Sequence, residues 1–392
     1  MESFDVVIVG GGPAGLCASL HAALGKSRTL LLERKPRLEA PVTCGELIPS
    51  LDEAQSLMPR AKNLRDFYQS MPATTIANHT SSIVIYSPSN RTHEFNFHGL
   101  VLNKNLLNKA LGEASVKAGA EISLSSLVYE LHPEENSILV HSTDLKRPKA
   151  IRAKVAIGAD GFPSAIASLT GLKAQSELSD MASCINCVVT GAKVDRNAVE
   201  MYFGNRIAPG GYAWIIPKGN DVANVGLGIR ISMLQGQRDL EKRFTSFMKK
   251  HAIVSQKVLG AEITNRSTKI VPVGGIGRRL YGERVLLAGD SAGTVVPVNG
   301  GGILTAAVSG RIAGETACRF VQGTGELSTY EKAIGGEIGR EVRRGLGYRK
   351  AADLVMKSDL LFEVVLSLVG KRNVAKVVQC RPSFLLSPSR LL

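Results

Sequence analysis

The sequence predicts a mixed α/β (α+β) fold, in which a domain of alternating strands and helices is interrupted by an antiparallel-sheet domain and followed by a C-terminal helical cap. Three observations favour it. An apolar strand near the amino terminus runs into a glycine-rich turn and a helix, two later stretches alternate polar and apolar residues, and the end of the chain has helical periodicity. The 392 residues are enough for two or three domains that share a large core.

The glycine-rich turn has the pattern of a dinucleotide-binding site. An apolar strand over residues 6–9 leads through it into a helix predicted over Pro13–Leu24. Three glycines at this spacing allow a tight turn, close approach of the backbone to a pyrophosphate, and contact between helix and sheet. The helix directs unpaired N–H groups and the positive end of its dipole toward the phosphates. We therefore expect a Rossmann-like domain with cofactor contacts at Gly10, Gly12, Pro13, Ala14 and Gly15.

A second apolar strand, Thr29–Leu32, is followed by Glu33, at the spacing of about 20 residues that this motif requires. A carboxylate there accepts a hydrogen bond from a ribose hydroxyl, whereas an arginine would indicate a 2′-phosphate. With all these features in order, the alternative of an ordinary glycine-rich turn is disfavoured. The expected ligand is FAD or NAD, and the adjacent Arg34 is included among its predicted contacts.

The formal net charge of +14 favours an anionic partner, either nucleic acid, an acidic membrane surface or an acidic substrate. No nucleic-acid-binding signature accompanies it, so a lipid or phosphate partner is favoured over nucleic acid. A generally basic surface is the alternative. The first strand begins almost at Met1, and no apolar run reaches the ~18 residues of a membrane span. We expect a cytoplasmic protein whose membrane contact is peripheral, at the inner face.

Six cysteines are scattered along the chain, which argues against a disulfide framework in a cytosolic protein. Cys184 and Cys187 lie in a strand predicted over residues 182–189, where positions i and i+3 point to opposite faces. Buried cysteines are favoured there, and no metal site is expected. Cys44 lies in a loop predicted over residues 34–49, as either a buried spacer or a residue beside the reactive ring of the cofactor.

Two stretches of alternating residues predict antiparallel strands, over residues 76–97 and within 182–231. Helical periodicity returns between them, over residues 100–118, and a strand over 154–157 leads to Asp160. The second stretch carries Tyr212 and Trp214. They are either same-face aromatics of a half-buried strand or the lining of an apolar pocket.

A third cofactor-type stretch begins where a late apolar strand ends. An aspartate at that point can accept a hydrogen bond from a ribitol or ribose hydroxyl, and exposed N–H groups of the following glycines can stabilise negative charge on a reduced ring. A solvated turn aspartate is the alternative. The predicted contacts are Asp160, Gly289, Asp290, Gly300, Gly301, Gly302 and Ile303. The basic, amphipathic helices after them either pack on the body or rest on an anionic bilayer.

Together these motifs resemble the FAD-dependent geranylgeranyl reductases, p-hydroxybenzoate-hydroxylase-like flavoproteins that include the archaeal digeranylgeranylglycerophospholipid reductases. The resemblance covers nearly the whole chain. The motifs most specific to this family are the Cys-Gly-Glu loop beginning at Cys44 and the block Tyr212-x-Trp214 through Pro217 to Gly219. Family members have a flavin-contacting arginine near position 104, where this chain has Lys104, which keeps the charge but loses the bidentate fork.

The resemblance implies that reduced FAD delivers a hydride to a double bond of an isoprenoid lipid with an anionic head group. It implies Cys44, Tyr212 and Trp214 as catalytic residues, with Gly45 and Lys104 also contacting FAD. The implied substrate contacts are Tyr212, Trp214, Pro217, Gly226 and Gly228. The electron donor (NAD(P)H, ferredoxin or another) and the proton donor are not identified.

The implied domains are an FAD-binding domain over residues 1–73, 99–170 and 270–325, a substrate domain over 74–98 and 171–269, and a C-terminal helical region over 326–392. Three other functions remain open. A flavin-dependent monooxygenase or halogenase has a related pattern, although Tyr212 replaces the first of two tryptophans. A quinone-linked electron-transfer flavoprotein usually has a four-cysteine iron–sulfur cluster, whose spacing is absent here. A membrane-bound flavin scaffold would bind FAD without turning over any lipid.

Overall fold

The computed structural model describes residues 1–39, 44–144, 147–172 and 177–383, with only the backbone of Asp144. Parts of the loop predicted over 34–49 and of the helical region predicted over 326–392 therefore lie outside the described residues.

Within these ranges the strands, in chain order, are β1 (Glu2–Val9), β2 (Thr29–Leu32), β3 (Leu47–Pro49), β4 (Ile76–Tyr86), β5 (Thr92–Leu102), β6 (Glu121–Ser123), β7 (Val128–Pro133), β8 (Ile138–Asp144), β9 (Arg147–Gly158), β10 (Met181–Thr190), β11 (Ala198–Tyr202), β12 (Tyr212–Pro217), β13 (Val222–Arg230), β14 (Glu262–Pro272) and β15 (Val285–Leu287). The helices are α1 (Pro13–Leu24), α2 (Leu51–Leu57), α3 (Leu64–Gln69), α4 (Lys104–Lys117), α5 (Ala165–Leu169), α6 (Gln237–Lys250), α7 (Val254–Lys257), α8 (Ile303–Val321), α9 (Thr329–Glu337), α10 (Gly339–Val355) and α11 (Asp359–Val378).

The first sheet has the strand order β6-β2-β1-β9-β8-β7, and β15 also pairs with β9. Strands β1, β2, β6, β9 and β15 run parallel, and the apolar side chains of β1 and β2 are buried, as expected for a sheet covered on both faces. Because the carboxyl ends of parallel strands meet at one edge, the segments after β1, β2, β9 and β15 converge there. The predicted Rossmann-like fold is confirmed.

The second sheet has the order β14-β10-β13-β12-β11-β4-β5-β3 and is largely antiparallel, with β11 and β4 as a parallel pair. The two faces of this sheet have different surroundings, as strand β10 shows. Ile185, Cys187 and Val189 join the buried core with α6, whereas Cys184 and Asn186 face a cavity on the other side. The prediction that Cys184 and Cys187 point to opposite faces is confirmed, and all six cysteines are free thiols.

Two expectations about local structure were wrong. Leu100–Leu102 continue strand β5 and do not begin a helix, because they pair with Ile48 of β3 and Ile76 of β4; helix α4 starts only at Lys104. The predicted loop over 34–49 ends in strand β3. In both places pairing with distant strands overrides the local pattern. Strand β5 thus crosses the domain boundary that the sequence suggested at residue 98.

Helices α9 to α11 confirm the predicted helical C-terminal region, and α11 kinks at Gly370, whose φ is +73°. Leu366 and Val374 of α11 are buried against Ile83 and Ile85 of β4, so α11 packs on the second sheet. Among the described residues, no helix combines the length and the apolar character needed to cross a bilayer.

Candidate active site

A cavity of about 820 Å³ lies where the carboxyl edge of the first sheet, the second sheet and helices α10 and α11 meet. Most of the predicted site residues line it: Gly10, Gly12, Pro13, Ala14, Glu33, Arg34, Cys44, Gly45, Lys104, Asp160, Tyr212, Trp214, Gly228, Asp290, Gly300, Gly301, Gly302 and Ile303. Residues from distant parts of the chain therefore share a single cavity.

Gly15 and Gly289 do not line this cavity. A Cβ atom at Gly15 would lie 1.8 Å from the carbonyl oxygen of Gly10, so the glycine lets α1 lie directly on β1. At Gly289, where φ is +68°, a Cβ would lie 2.7 Å from Cβ of Ala14. Both positions hold the cofactor turns together by close backbone contact.

Pro217 and Gly226, two of the predicted substrate contacts, also lie away from the cavity surface. Pro217 ends β12, and its carbonyl accepts a 3.0 Å hydrogen bond from the amide of Asn78. A Cβ atom at Gly226 would lie 2.3 Å from Cζ2 of Trp214. Gly226 thus makes room for the indole ring and not directly for a ligand, whereas Gly228 does line the cavity.

The glycine turn has the backbone geometry expected of an anion-binding turn. Gly10 has φ of +108°, and a Cβ there would lie 2.4 Å from the carbonyl oxygen of Ala159. At Gly12 a Cβ would meet no atom within 4 Å, and no side chain caps the amino terminus of α1. The helix N–H groups are therefore open to the cavity, as phosphate binding requires. These residues fit a dinucleotide.

Glu33 lies at the same end of the cavity. Its Oε2 accepts a 2.5 Å hydrogen bond from the N–H of Gly11, and its Oε1 accepts a 2.9 Å bond from the N–H of Lys35. The carboxylate is thereby fixed beside the glycine turn, where a ribose hydroxyl would reach it. Burial lowers the pKa of the nearby Lys35 ammonium from its usual value.

Asp160 has protein partners for both carboxylate oxygens. Oδ1 accepts from the hydroxyls of Ser164 (2.7 Å) and Ser291 (3.0 Å), while Oδ2 accepts a 2.7 Å bond from the N–H of Ala165 at the start of α5. Asp160 therefore ties the turn after β9 to the turn after β15.

Asp290 forms an ion pair with Lys269, a residue of β14 that no sequence motif includes; Oδ2 and Nζ lie 2.6 Å apart. Burial alone would raise the pKa of Asp290, but the Lys269 ammonium more than offsets this and keeps the pKa below 3.8. Attraction to Asp290 raises the pKa of Lys269 above 10.5. The Lys269 side chain is 32% exposed, because it borders the cavity.

The loop at Cys44 is held by hydrogen bonds to the second sheet. The Cys44 carbonyl accepts a 2.7 Å bond from the amide of Asn224 and a 3.3 Å bond from that of Asn186. Asn224 also accepts a 3.0 Å bond from the indole nitrogen of Trp214. A fully buried asparagine therefore links the cysteine loop to the tryptophan.

A buried ion pair anchors the other side of the loop. Glu46 lies 2.5 Å from Nζ of Lys218, and each side chain is 9% exposed. Glu46 also accepts a 3.0 Å bond from the N–H of Lys104, and its own N–H donates to Sγ of Cys44 at 3.3 Å. The Cys-Gly-Glu sequence thus positions the thiol through the glutamate.

A chain of aromatic rings crosses the cavity. The rings of Trp214 and Tyr212 are 5.9 Å apart, those of Tyr212 and Phe203 are 5.8 Å apart, and those of Phe203 and Phe362 of α11 are 5.5 Å apart. The Tyr212 hydroxyl donates a 2.5 Å bond to the carbonyl of Asn299, and burial raises its pKa. Burial likewise raises the pKa of Cys184, on the same cavity surface, to about 12. These groups stay neutral at physiological pH.

Sequence reasoning missed Asn186, Asn224, Lys269 and Phe203 as site residues. Asn224 had a detectable signal, since it is a polar residue within the apolar run of β13. The prediction of free N–H groups at Gly301 and Gly302 needs revision, because the Gly301 N–H donates a 3.0 Å bond to Oδ1 of Asn299. Gly302 remains the candidate donor.

Comparison with known proteins agrees with this geometry. A family model described as FAD dependent oxidoreductase matches residues 5–177, and one described as geranylgeranyl reductase catalytic domain matches residues 180–264. The fold, the glycine turns and these matches define an FAD-dependent oxidoreductase.

The chain is 31% identical to the digeranylgeranylglycerophospholipid reductase of Methanocaldococcus jannaschii, over 98% of this chain and 97% of the relative. A solved structure of a geranylgeranyl bacteriochlorophyll reductase-like protein from Thermoplasma acidophilum is 27% identical with a TM-score of 0.81, over 96% of each chain. The chain belongs to the digeranylgeranylglycerophospholipid reductase family.

A flavin-dependent brominase has the same fold, with a TM-score of 0.76 at 15% identity over 99% of this chain and 97% of that chain. At this identity the likeness shows the fold alone. The halogenase or monooxygenase alternative is therefore not favoured over the reductase family to which the chain belongs.

Proposed function

We propose that the protein saturates carbon–carbon double bonds in the geranylgeranyl chains of isoprenoid glycerophospholipids, in membrane lipid biosynthesis. The observation that carries the proposal is the continuity of the cavity. It runs from the anion-binding turn at Gly12, past Cys44 and Trp214, to the apolar side chains of α11. A nucleotide cofactor and a long apolar substrate can therefore meet inside it.

When bound, FAD supplies the hydride, delivered from N5 of its reduced ring. An isolated alkene has no carbonyl to hold negative charge, so positive charge develops at its more substituted carbon. The π faces of Tyr212 and Trp214 stabilise such charge, and apolar side chains keep water away from it. Each reduced bond gains one hydride and one proton.

Within this proposal, the glycine turns, Glu33 and Arg34 would hold the dinucleotide. Asn224 and Glu46 position the loop of Cys44, whose thiol would lie near the ring of bound FAD. Gly226 supports Trp214 from behind, and Gly228 leaves space at the cavity surface. We further propose that the first sheet, with α8, forms the cofactor domain and the second sheet forms the substrate domain.

The basic character of the chain supports a substrate with an anionic head group and a protein that works peripherally at the inner face of the membrane. The same charge attracts a phosphate group and a surface of anionic lipids. We expect a phosphate-free geranylgeranyl lipid to be reduced more slowly than its phospholipid counterpart. Equal turnover of both would count against the head-group assignment.

The test is product analysis without oxygen. Purified protein reduced with dithionite is incubated under argon with digeranylgeranylglycerophospholipid, and the lipids are weighed by mass spectrometry. We expect mass increases of two hydrogens per saturated bond. Unchanged lipid masses with flavin-replete protein would refute the proposal.

A further inference from the structure

Helix α11 has two apolar faces before its kink at Gly370. Helical spacing places one set of side chains toward the cavity, namely Phe362, Val365, Leu366 and Val369. A second set lies on the opposite side and is exposed to solvent, namely Leu360, Leu361, Val364 and Leu368. Leu368 is 81% exposed and Leu360 75% exposed. A helix that only covered the cavity would need the first face alone, so the second indicates an interaction.

The acidic residues of this segment are turned toward the protein. Oδ1 of Asp359 accepts two 2.9 Å hydrogen bonds, from the backbone and side-chain nitrogens of Asn205. Oε1 of Glu363 accepts a 2.6 Å bond from the N–H of Ser89. The negative charges are thus engaged at the inner edge of the helix, away from the exposed apolar stripe.

Basic residues come directly after these exposed apolar residues in the sequence. A pocket of about 470 Å³ between β5 and the second half of α11 is lined by Lys371, Arg372 and Lys376. Over the described ranges, none of these three forms an ion pair. Gln379 lines both this pocket and the central cavity, so the two sites are neighbours.

We infer that the exposed face of α11 docks on an anionic phospholipid bilayer, with lipid phosphate in the basic pocket and the lipid chain entering the cavity past α11. We call this the α11 surface: Leu360, Leu361, Val364, Leu368, Lys371, Arg372 and Lys376. Apolar side chains inserted at the acyl boundary, with cations at the head-group level, are the combination that holds an interfacial helix. The entry of substrate by this route rests on the proposed function, but the docking itself does not.

A second copy of the chain fits this surface less well. In a twofold dimer the same patch meets itself, so the basic pockets of the two copies would lie close together. Like charges with no acidic partner across the contact oppose such an association. An anionic bilayer supplies the missing negative charge.

The experiment is vesicle flotation of the FAD-loaded protein. One set of vesicles is phosphatidylcholine alone, and the other contains phosphatidylglycerol as well. The variants are Leu360→Gln with Leu368→Gln, and Lys371→Gln with Arg372→Gln. Matched controls change exposed residues elsewhere: Leu259→Gln, at a leucine 76% exposed, and Lys249→Gln with Lys250→Gln at the end of α6.

We expect the wild type and both controls to float with the anionic vesicles, and each α11 double variant to bind about tenfold more weakly or worse. Wild-type protein that stays unbound, or α11 variants that bind as well as the controls, would overturn the inference. So would a wild-type dimer, seen by gel filtration, that the Leu360→Gln, Leu368→Gln variant abolishes.

A parallel assay separates this inference from the proposed function. With substrate in detergent micelles, the Leu360→Gln, Leu368→Gln variant should reduce the lipid as the wild type does, because no bilayer needs to be reached and neither leucine lines the cavity. Vesicle binding through the α11 surface without any lipid reduction would contradict the proposed function alone. Normal lipid reduction without vesicle binding would contradict the docking alone.

Discussion

Gly226 lies directly against the indole ring of Trp214, its partner in the adjacent strand. A Cβ atom at position 226 would be 2.3 Å from Cζ2 of the ring and 2.7 Å from the carbonyl oxygen of Ile185. The position of the tryptophan in the cavity is thus set by a residue that does not itself line it. A substitution at Gly226 therefore tests what the Trp214 ring contributes without changing Trp214 itself.

Gly226→Ala should move the indole ring and lower both stability and turnover. We expect the free energy of unfolding to fall by about 1–3 kcal/mol, because the added methyl group overpacks against ring and backbone. For stability, Gly228→Ala is the control, since its Cβ would meet only Sγ of Cys184, at 3.0 Å. Urea denaturation measures stability, and lipid turnover is measured for Gly226→Ala against the wild type. Equal losses of stability in the two variants would contradict this description of Trp214.

Asn224→Leu should release the loop at Cys44. The substitution leaves the indole N–H of Trp214 without its partner, at a cost of about 1–3 kcal/mol, and leaves the carbonyl of Cys44 with only the 3.3 Å bond from Asn186. Asn186→Leu removes the longer 3.3 Å bond to the same carbonyl, a 3.5 Å bond to Asn224 and a 3.1 Å bond from the Ser267 hydroxyl, but leaves the indole N–H paired, so its effect on the Cys44 loop should be smaller. Thermal unfolding and the rate of Cys44 alkylation are the measurements. A larger effect of Asn186→Leu would contradict the assignment of Asn224 as the main hydrogen-bond donor to the Cys44 loop.

Glu33→Gln should weaken FAD binding without unfolding the protein. The carboxylate beside the glycine turn would lose its charge-assisted bonds, and such bonds contribute about 1.5–3 kcal/mol, or roughly tenfold to a hundredfold in affinity. Glu39→Gln is a matched control, because Glu39 pairs with Lys109 on the surface and does not line the cavity. Titration of the flavin-free protein with FAD compares them. Unchanged affinity in Glu33→Gln would exclude the ribose contact.

The Lys269–Asp290 pair predicts a specific pH dependence. The folded-state pKa of Asp290 lies below 3.8 and that of Lys269 above 10.5, so the contribution of the pair to stability is fully present between these values. It is lost as pH falls through the folded pKa of Asp290, and again as pH rises through that of Lys269. Without the Lys269 ammonium, burial raises the pKa of Asp290, so the stability difference between wild type and Lys269→Met should be largest at neutral pH and shrink as pH falls. A difference that stays the same or grows in acid would contradict the pairing.

The sequence predicted the nucleotide end of the site well, because its signals are local. The glycines from Gly10 to Gly15 and the acid Glu33 belong to one strand–helix–strand unit, whose spacing alone specifies the geometry. The same holds for helix α1, which begins at Pro13 and ends at Leu24 as expected.

The contacts that the sequence did not reveal join distant segments. Glu46 pairs with a lysine 172 positions away, and the Cys44 carbonyl is bound by an asparagine 180 positions away. No periodicity or spacing encodes such pairs. Leu100–Leu102 were assigned to a helix for the related reason that their strand partners, Ile48 and Ile76, lie outside the local window.

If the cavity brings a reduced flavin against a geranylgeranyl chain, anaerobic mixing of the photoreduced protein with digeranylgeranylglycerophospholipid should reoxidise the flavin. The measurement is flavin absorbance after mixing. We expect reoxidation with this lipid and none with its fully saturated counterpart. A flavin that remains reduced with both lipids, or is reoxidised equally by both, would contradict this arrangement.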